Sequence, residues 1–134
     1  NFARPGTECR HNLAYWRRAD FLGLGAGAWS SQGLNRWRNV EDTEAYIESA
    51  ARGDWEEIRE HERLARRQQL TELLMLGLRL KNGIDRQVVA EALDGDQENI
   101  LLRNGFLLNE GGRILLTRRG RFVANEVCGR LMKD

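Results

Sequence analysis

Cysteine, proline and histidine are all scarce in this 134-residue chain, which holds two, one and two of them. Cys9 and Cys128 lie at opposite ends, so there is no disulfide framework, and such usage suits a reducing cytoplasm. No apolar run approaches the ~20 residues that a membrane-spanning helix needs, and no signal peptide is visible. Neither sign of charge dominates. The chain has 21 Lys and Arg against 20 Asp and Glu, a net +1, which gives no global pull towards nucleic acid or anionic lipid. Internal repeats, low-complexity tracts and linkers are also missing. With 41% hydrophobic and 31% charged residues the chain fits one domain, or a small domain plus a piece of another.

What is present is concentrated near the start. Residues 11–30 read HNLAYWRRADFLGLGAGAWS. A polar-aromatic cluster, His11, Asn12, Tyr15 and Trp16, is followed by an apolar run that dissolves into glycines, Phe21 to Ala28. That run reads as a buried strand whose missing side chains let a ligand approach its backbone. If the cluster is helical, Tyr15 lies at i+4 from His11 and shares its face. A neutral imidazole there can ligate iron, or His11 and Asn12 can simply bond loop backbone while Tyr15 and Trp16 pack. Cys9-x-His11 supplies two metal donors, short of a structural zinc site. The pattern GxGxxG fails at Ala28, which argues against dinucleotide binding.

From Asp42 the pattern turns helical. Asp42 or Thr43 caps a helix ending near Gly53. A long amphipathic helix is expected from about Trp55 to Leu80, with Leu70, Leu73, Leu74, Gly77 and Leu78 on its apolar face. The charged run including Asp54, Glu56, Glu57, Glu60, His61 and Glu62 is expected to form surface pairs along it. Asp85 caps a second helix and Asp96 a third, closed by Asn104-Gly105. Phe106–Leu108 and Ile114–Leu116 flank a glycine turn as a β-hairpin, and Thr117 caps a final helix with Val123, Val127 and Leu131 inward. Three helices, a hairpin and a helix form a winged-helix layout.

The His11-Asn12-x-x-Tyr15-Trp16 motif followed by the GLGAGA run resembles the C-terminal part of the HemW-type radical S-adenosylmethionine proteins. These are haem chaperones grouped with oxygen-independent coproporphyrinogen III oxidases. Residues 1–6 (NFARPG), 36–40 (RWRNV), 75–80 (MLGLRL) and 116–121 (LTRRGR) resemble further blocks of that family in the same order. The resemblance implies an α+β, mainly α chain. Residues 1–40 would be the last strand segment of a partial (β/α) barrel, and residues 41–134 a helical winged-helix-like domain. It implies that the 4Fe-4S cluster and its CxxxCxxC motif belong upstream, since two cysteines cannot hold a four-iron cluster. The chain is accordingly read as a C-terminal fragment, not an enzyme by itself, whose missing N-terminal barrel is a partner.

The resemblance also assigns haem binding to His11, as iron ligand, with Asn12, Tyr15 and Trp16. It places S-adenosylmethionine against the backbone of Ala28 and Trp29. Arg4, Arg10, Arg17 and Arg18 suit haem propionates, or form a solvated basic face. The implied function is to bind haem and deliver it to haem-dependent enzymes in the cytoplasm. The alternative is radical decarboxylation of coproporphyrinogen III. A third reading, a nucleic-acid-binding winged helix, would use Arg113, Arg118, Arg119, Arg121 and Arg130 on phosphates. Its reading helix opens with Asp96 and Glu98, which oppose phosphate, so no nucleic acid is expected.

Overall fold

The computed structural model describes residues 3–4, 6–56 and 59–133. Asn1, Phe2 and Pro5 of the opening block, and Glu57 of the charged run, lie outside them. The chain is a mix of helix and short antiparallel sheet, mainly helical, and divides into two compact units. The larger contains residues 1–18 and 67–134, and the smaller residues 19–66.

The larger unit contains α1 (Arg10–Trp16), most of α3 (Arg66–Gly77), β4 (Ile84–Asp85), α4 (Arg86–Val89), a 3-10 turn, α5 (Gly95–Arg103), β5 (Leu107–Glu110), β6 (Arg113–Leu116), α6 (Arg118–Phe122) and α7 (Ala124–Leu131). The strands form a sheet ordered β4-β6-β5, with Ile84 opposite Ile114 and Leu107 opposite Leu116. Gly111 and Gly112 both take positive φ, as a two-residue turn matched to strand twist requires. The core is apolar and closed: Leu74, Leu78, Val89, Leu107, Ile114 and Leu131 are at its centre. Among the described residues, Glu98 is the buried carboxylate of this unit. Glu98 receives two charge-assisted hydrogen bonds of 2.9 Å from Nε and Nη2 of Arg86, tying α5 to α4. The same contact raises the Arg86 pKa above its ordinary value, through the hydrogen bond first and the Glu98 charge second.

The smaller unit is a meander, β1 (Trp29–Gln32), β2 (Asn35–Asn39) and β3 (Arg59–Arg63), with α2 (Thr43–Arg52) between the last two strands. Asp42 caps α2 by accepting from the Ala45 N–H at 2.8 Å, and Gly53 closes it in the left-handed region. This unit buries polar side chains, Ser30, Ser31, Asn39 and Ser49, with Leu64 its one fully buried large apolar residue among those described.

Four expectations from the sequence are corrected. Phe21–Ala28 is not a strand. Phe21 alone pairs, with Ser31, and positive φ at Gly25 and Gly27 turns the rest into a loop, so the strand begins at Trp29. The helix expected over 55–80 covers only Arg66–Gly77. Residues 59–63 are β3 instead, and the alternating charges that suited helical pairing face opposite charges across the ladder, Glu62 against Arg36 and Glu60 against Arg38. Asp94, not Asp96, caps α5, accepting from both Asp96 and Gln97 N–H at 3.0 Å, and Gly95 starts that helix. The final helix is interrupted at Val123, giving α6 and α7. Division by packing falls at 18/19 and 66/67, because β3 binds β2 and draws residues beyond 40 into the smaller unit.

Candidate functional site

The HNxxYW motif is helical. It forms α1, and no residue of that helix is fully buried. His11 is exposed, and Tyr15 one turn on meets it edge-to-face, with ring centroids 4.9 Å apart at 89°. Among the described residues no hydrogen bond engages the His11 imidazole. Asn12 and Trp16, also four residues apart, are half-buried. Cys9, at the N-terminus of α1, is an exposed free thiol.

The flanking arginines divide. Arg4, Arg10 and Arg17 are exposed. Arg18 is held with positive φ, and its Nε donates to Glu72 at 3.0 Å. Three of the arginines considered for phosphate contact are engaged within the protein. Arg113 bonds the Asn82 and Gly83 carbonyls, Arg119 lies over the Phe106 ring, and Arg130 pairs with Glu126.

Ala28 and Trp29 belong to the smaller unit, at the end of the glycine loop. That loop is strapped down by residues the sequence reading did not single out. Asn39, buried at the end of β2, donates through Nδ2 to the Gly23 and Gly25 carbonyls at 3.3 and 2.9 Å. Gly23 N–H donates to Ser30 Oγ at 3.0 Å, Gly25 N–H to the Tyr46 hydroxyl at 3.1 Å, and Gly27 N–H to the Val40 carbonyl at 2.8 Å. The loop N–H groups of all three glycines are thereby used, which removes the anion nest that glycine-rich sequence invites. Gly23 is obligatory: a Cβ there would lie 2.0 Å from the Trp29 carbonyl oxygen. The Ala28 carbonyl accepts from Asn39 N–H at 2.9 Å, while the Trp29 ring stays half-exposed with Arg38 over it at 5.9 Å. Nothing in the one-dimensional pattern marked Asn39 or Tyr46, because their partners are loop carbonyls and N–H groups far away in sequence.

Among the described residues no group of three or more His, Cys, Asp or Glu is placed to hold a metal ion, and no helix is long and apolar enough to cross a membrane. Cys9 is exposed and Cys128 is buried in the core, so the cysteines present do not fit an iron–sulfur cluster.

Residues 64–123 match the family described as HemN C-terminal domain. The coproporphyrinogen III oxidase HemN from Escherichia coli, titled a radical SAM enzyme, shares the fold with a TM-score of 0.56 at 20% identity, over 84% of this chain and 28% of that one. The class is therefore a HemN-like C-terminal region. Similarity also runs the length of the chain. The haem chaperone HemW of Mycobacterium tuberculosis (strain H37Rv) is 36% identical over 132 residues, 98% of this chain and 33% of that protein. HemW of Bacillus subtilis (strain 168) is 33% identical over 141 residues, all of this chain and 37% of that protein. The chain belongs to this HemW- and HemN-like family, and spans about a third of the length of these curated relatives.

Proposed function

We propose that this chain is the C-terminal part of a haem chaperone, which binds haem and passes it to haem-dependent acceptor proteins in the cytoplasm. The observation that carries this reading is the exposed His11 imidazole on α1, which has no hydrogen-bond partner among the described residues. A neutral imidazole is a haem-iron ligand, and the Tyr15 edge restricts its rotation. Asn12 and Trp16 line the neighbouring helix face, and Arg10 and Arg17 supply guanidinium groups for propionates. The names of the relatives support the reading, since they are called haem chaperones.

Residues 1–40 correspond in this reading to the last part of a radical S-adenosylmethionine barrel, and 41–134 to a winged-helix-like domain. The order α3, α4, α5, hairpin, α6 supports the latter. The 4Fe-4S cluster belongs to the N-terminal barrel of the complete protein. S-adenosylmethionine would meet the half-exposed Trp29. Ala28 offers it little, its carbonyl being taken by Asn39 N–H. A nucleic-acid partner is disfavoured, because Asp96 and Glu98 stand in the first turn of α5 and Arg113 is spent on carbonyls.

Haemin titration by absorbance, with His11→Ala in parallel, tests the reading. It expects a saturable Soret shift, weakened by about tenfold or more in the variant, as loss of an axial bond implies. The second reading, coproporphyrinogen oxidation, is favoured by the fold shared with HemN. Product analysis on the full-length protein separates the two.

A further inference from the structure

One face of the β1–β2–β3 sheet is closed at one end and open at the other. Side chains alternate across a strand, so Ser30, Trp37 and Asn39 share a face with their cross-strand neighbours Arg59 and His61. At the closed end, Ser30 and Asn39 hold the glycine loop. The open end is a cleft of about 220 Å³ lined by Gln32, Asn35, Trp37, Glu56, Arg59 and His61.

The chemistry of this cleft is unfinished. The Arg59 guanidinium carbon lies 5.5 Å from the ring centroids of both Trp37 and Trp55, a cation held by two indoles. The Nε–H of Arg59 and the Nε1–H of Trp37 are both shut off from solvent and have no acceptor among the described residues. Buried donors are nearly always paired, so two orphans among the residues lining one cleft mark a place for an acceptor. A carboxylate already stands at the rim: Glu56 Oε2 is 3.2 Å from His61 Nε2, and Oε1 is 3.7 Å from Arg59 Nη1. The Glu56 side chain is 81% exposed, so it is the loosest member of the cluster.

We propose that this cleft binds a small planar carboxylate. Glu56 is the displaceable occupant of the rim; once it swings out, the ligand's oxygens accept from Arg59 and the Trp37 indole and its flat body lies on the aromatic wall. Arginine presents Nε–H and Nη–H as a parallel fork, which matches a planar carboxylate better than a tetrahedral anion. The volume decides the size class. Drug-sized ligands take about 300–1,000 Å³, so a cleft of about 220 Å³ is large enough to enclose a single-ring acid and too small to enclose a porphyrin. The site is independent of the haem reading, which rests on α1.

The test is titration of the 15N-labelled chain with sodium benzoate, and in parallel with sodium phosphate, following the indole Nε1–H resonances. Trp37→Phe assigns the Trp37 signal by its loss. A saturable shift of that signal is expected, abolished in Arg59→Gln and weakened in Arg59→Lys, which keeps the charge but lacks the fork. Glu56→Gln should bind benzoate about fivefold tighter, as removal of an exposed competing carboxylate implies. The other indole signals report that each variant is folded, and if Arg59→Gln is not, Arg59→Lys decides. No saturable shift, an undiminished shift in both Arg59 variants, or tighter binding of phosphate than benzoate would overturn the proposal.

Discussion

The two units solve the problem of staying folded in opposite ways. The larger closes twelve apolar side chains into one core and buries the Glu98 carboxylate with its partner attached. The smaller closes around Ser30, Ser31, Asn39 and Ser49 and is held by hydrogen bonds to a glycine loop. Apolar burial is non-directional and scales with area, so it makes a stable support. Polar burial is directional and is worth little unless satisfied, so it fixes a loop's shape rather than adding much stability. Among the described residues the smaller unit leaves Trp37 Nε1, Arg38 Nε, Asn39 Oδ1 and Arg59 Nε without a hydrogen-bond partner.

Breaking the apolar side of this contrast should cost most. Leu74→Ala empties a position with no solvent exposure, and a loss of about 2–5 kcal/mol is expected in urea unfolding followed by circular dichroism. Arg86→Met leaves the Glu98 carboxylate buried without its fork. A loss of about 2 kcal/mol is expected by the same method, discounted because the Arg86 side chain is itself 42% exposed. Glu98→Gln in the same chain should recover part of it. On the polar side, Asn39→Ala frees the Gly23 and Gly25 carbonyls. It should cost about 1 kcal/mol and speed amide exchange over 23–27 while leaving exchange at Leu74 and Ile114 unchanged. Exchange rising equally in both units would erase the distinction.

The smallest effect concerns the thiols. Burial pushes the Cys128 pKa above its ordinary 9.0, with the Arg79 charge a lesser, opposing influence. A thiol reagent at neutral pH should therefore label exposed Cys9 and spare Cys128 until unfolding. A raised acidic pKa favours the folded state fully below 9.0 and loses that preference as pH climbs through the folded value, so mild alkaline destabilisation is expected in the wild type and not in Cys128→Ala. Equal labelling of both thiols would show the core to be open.

The same contrast explains what could be read in advance. Apolar periodicity and caps disclosed the larger unit, because Asp85, Thr117 and the Gly111-Gly112 turn act on near neighbours. HNxxYW left helix and loop both open in the sequence, and the i, i+4 spacing of His11 and Tyr15 becomes a shared face only because α1 forms. The smaller unit was misread where pairing is distant. Charges at 59–63 satisfy a helical pattern as well as a strand's, and only the partner β2 settles the choice. Phe21–Ala28 looked like a strand because the positive φ at Gly25 and Gly27 carries no sequence signature.

The most direct measurement is amide hydrogen exchange of the whole chain with and without haemin. The account predicts protection gained across residues 9–18 with the Leu74–Leu131 core unchanged, and the gain lost in His11→Ala. Haemin binding without protection at α1, or protection that persists in His11→Ala, would contradict it.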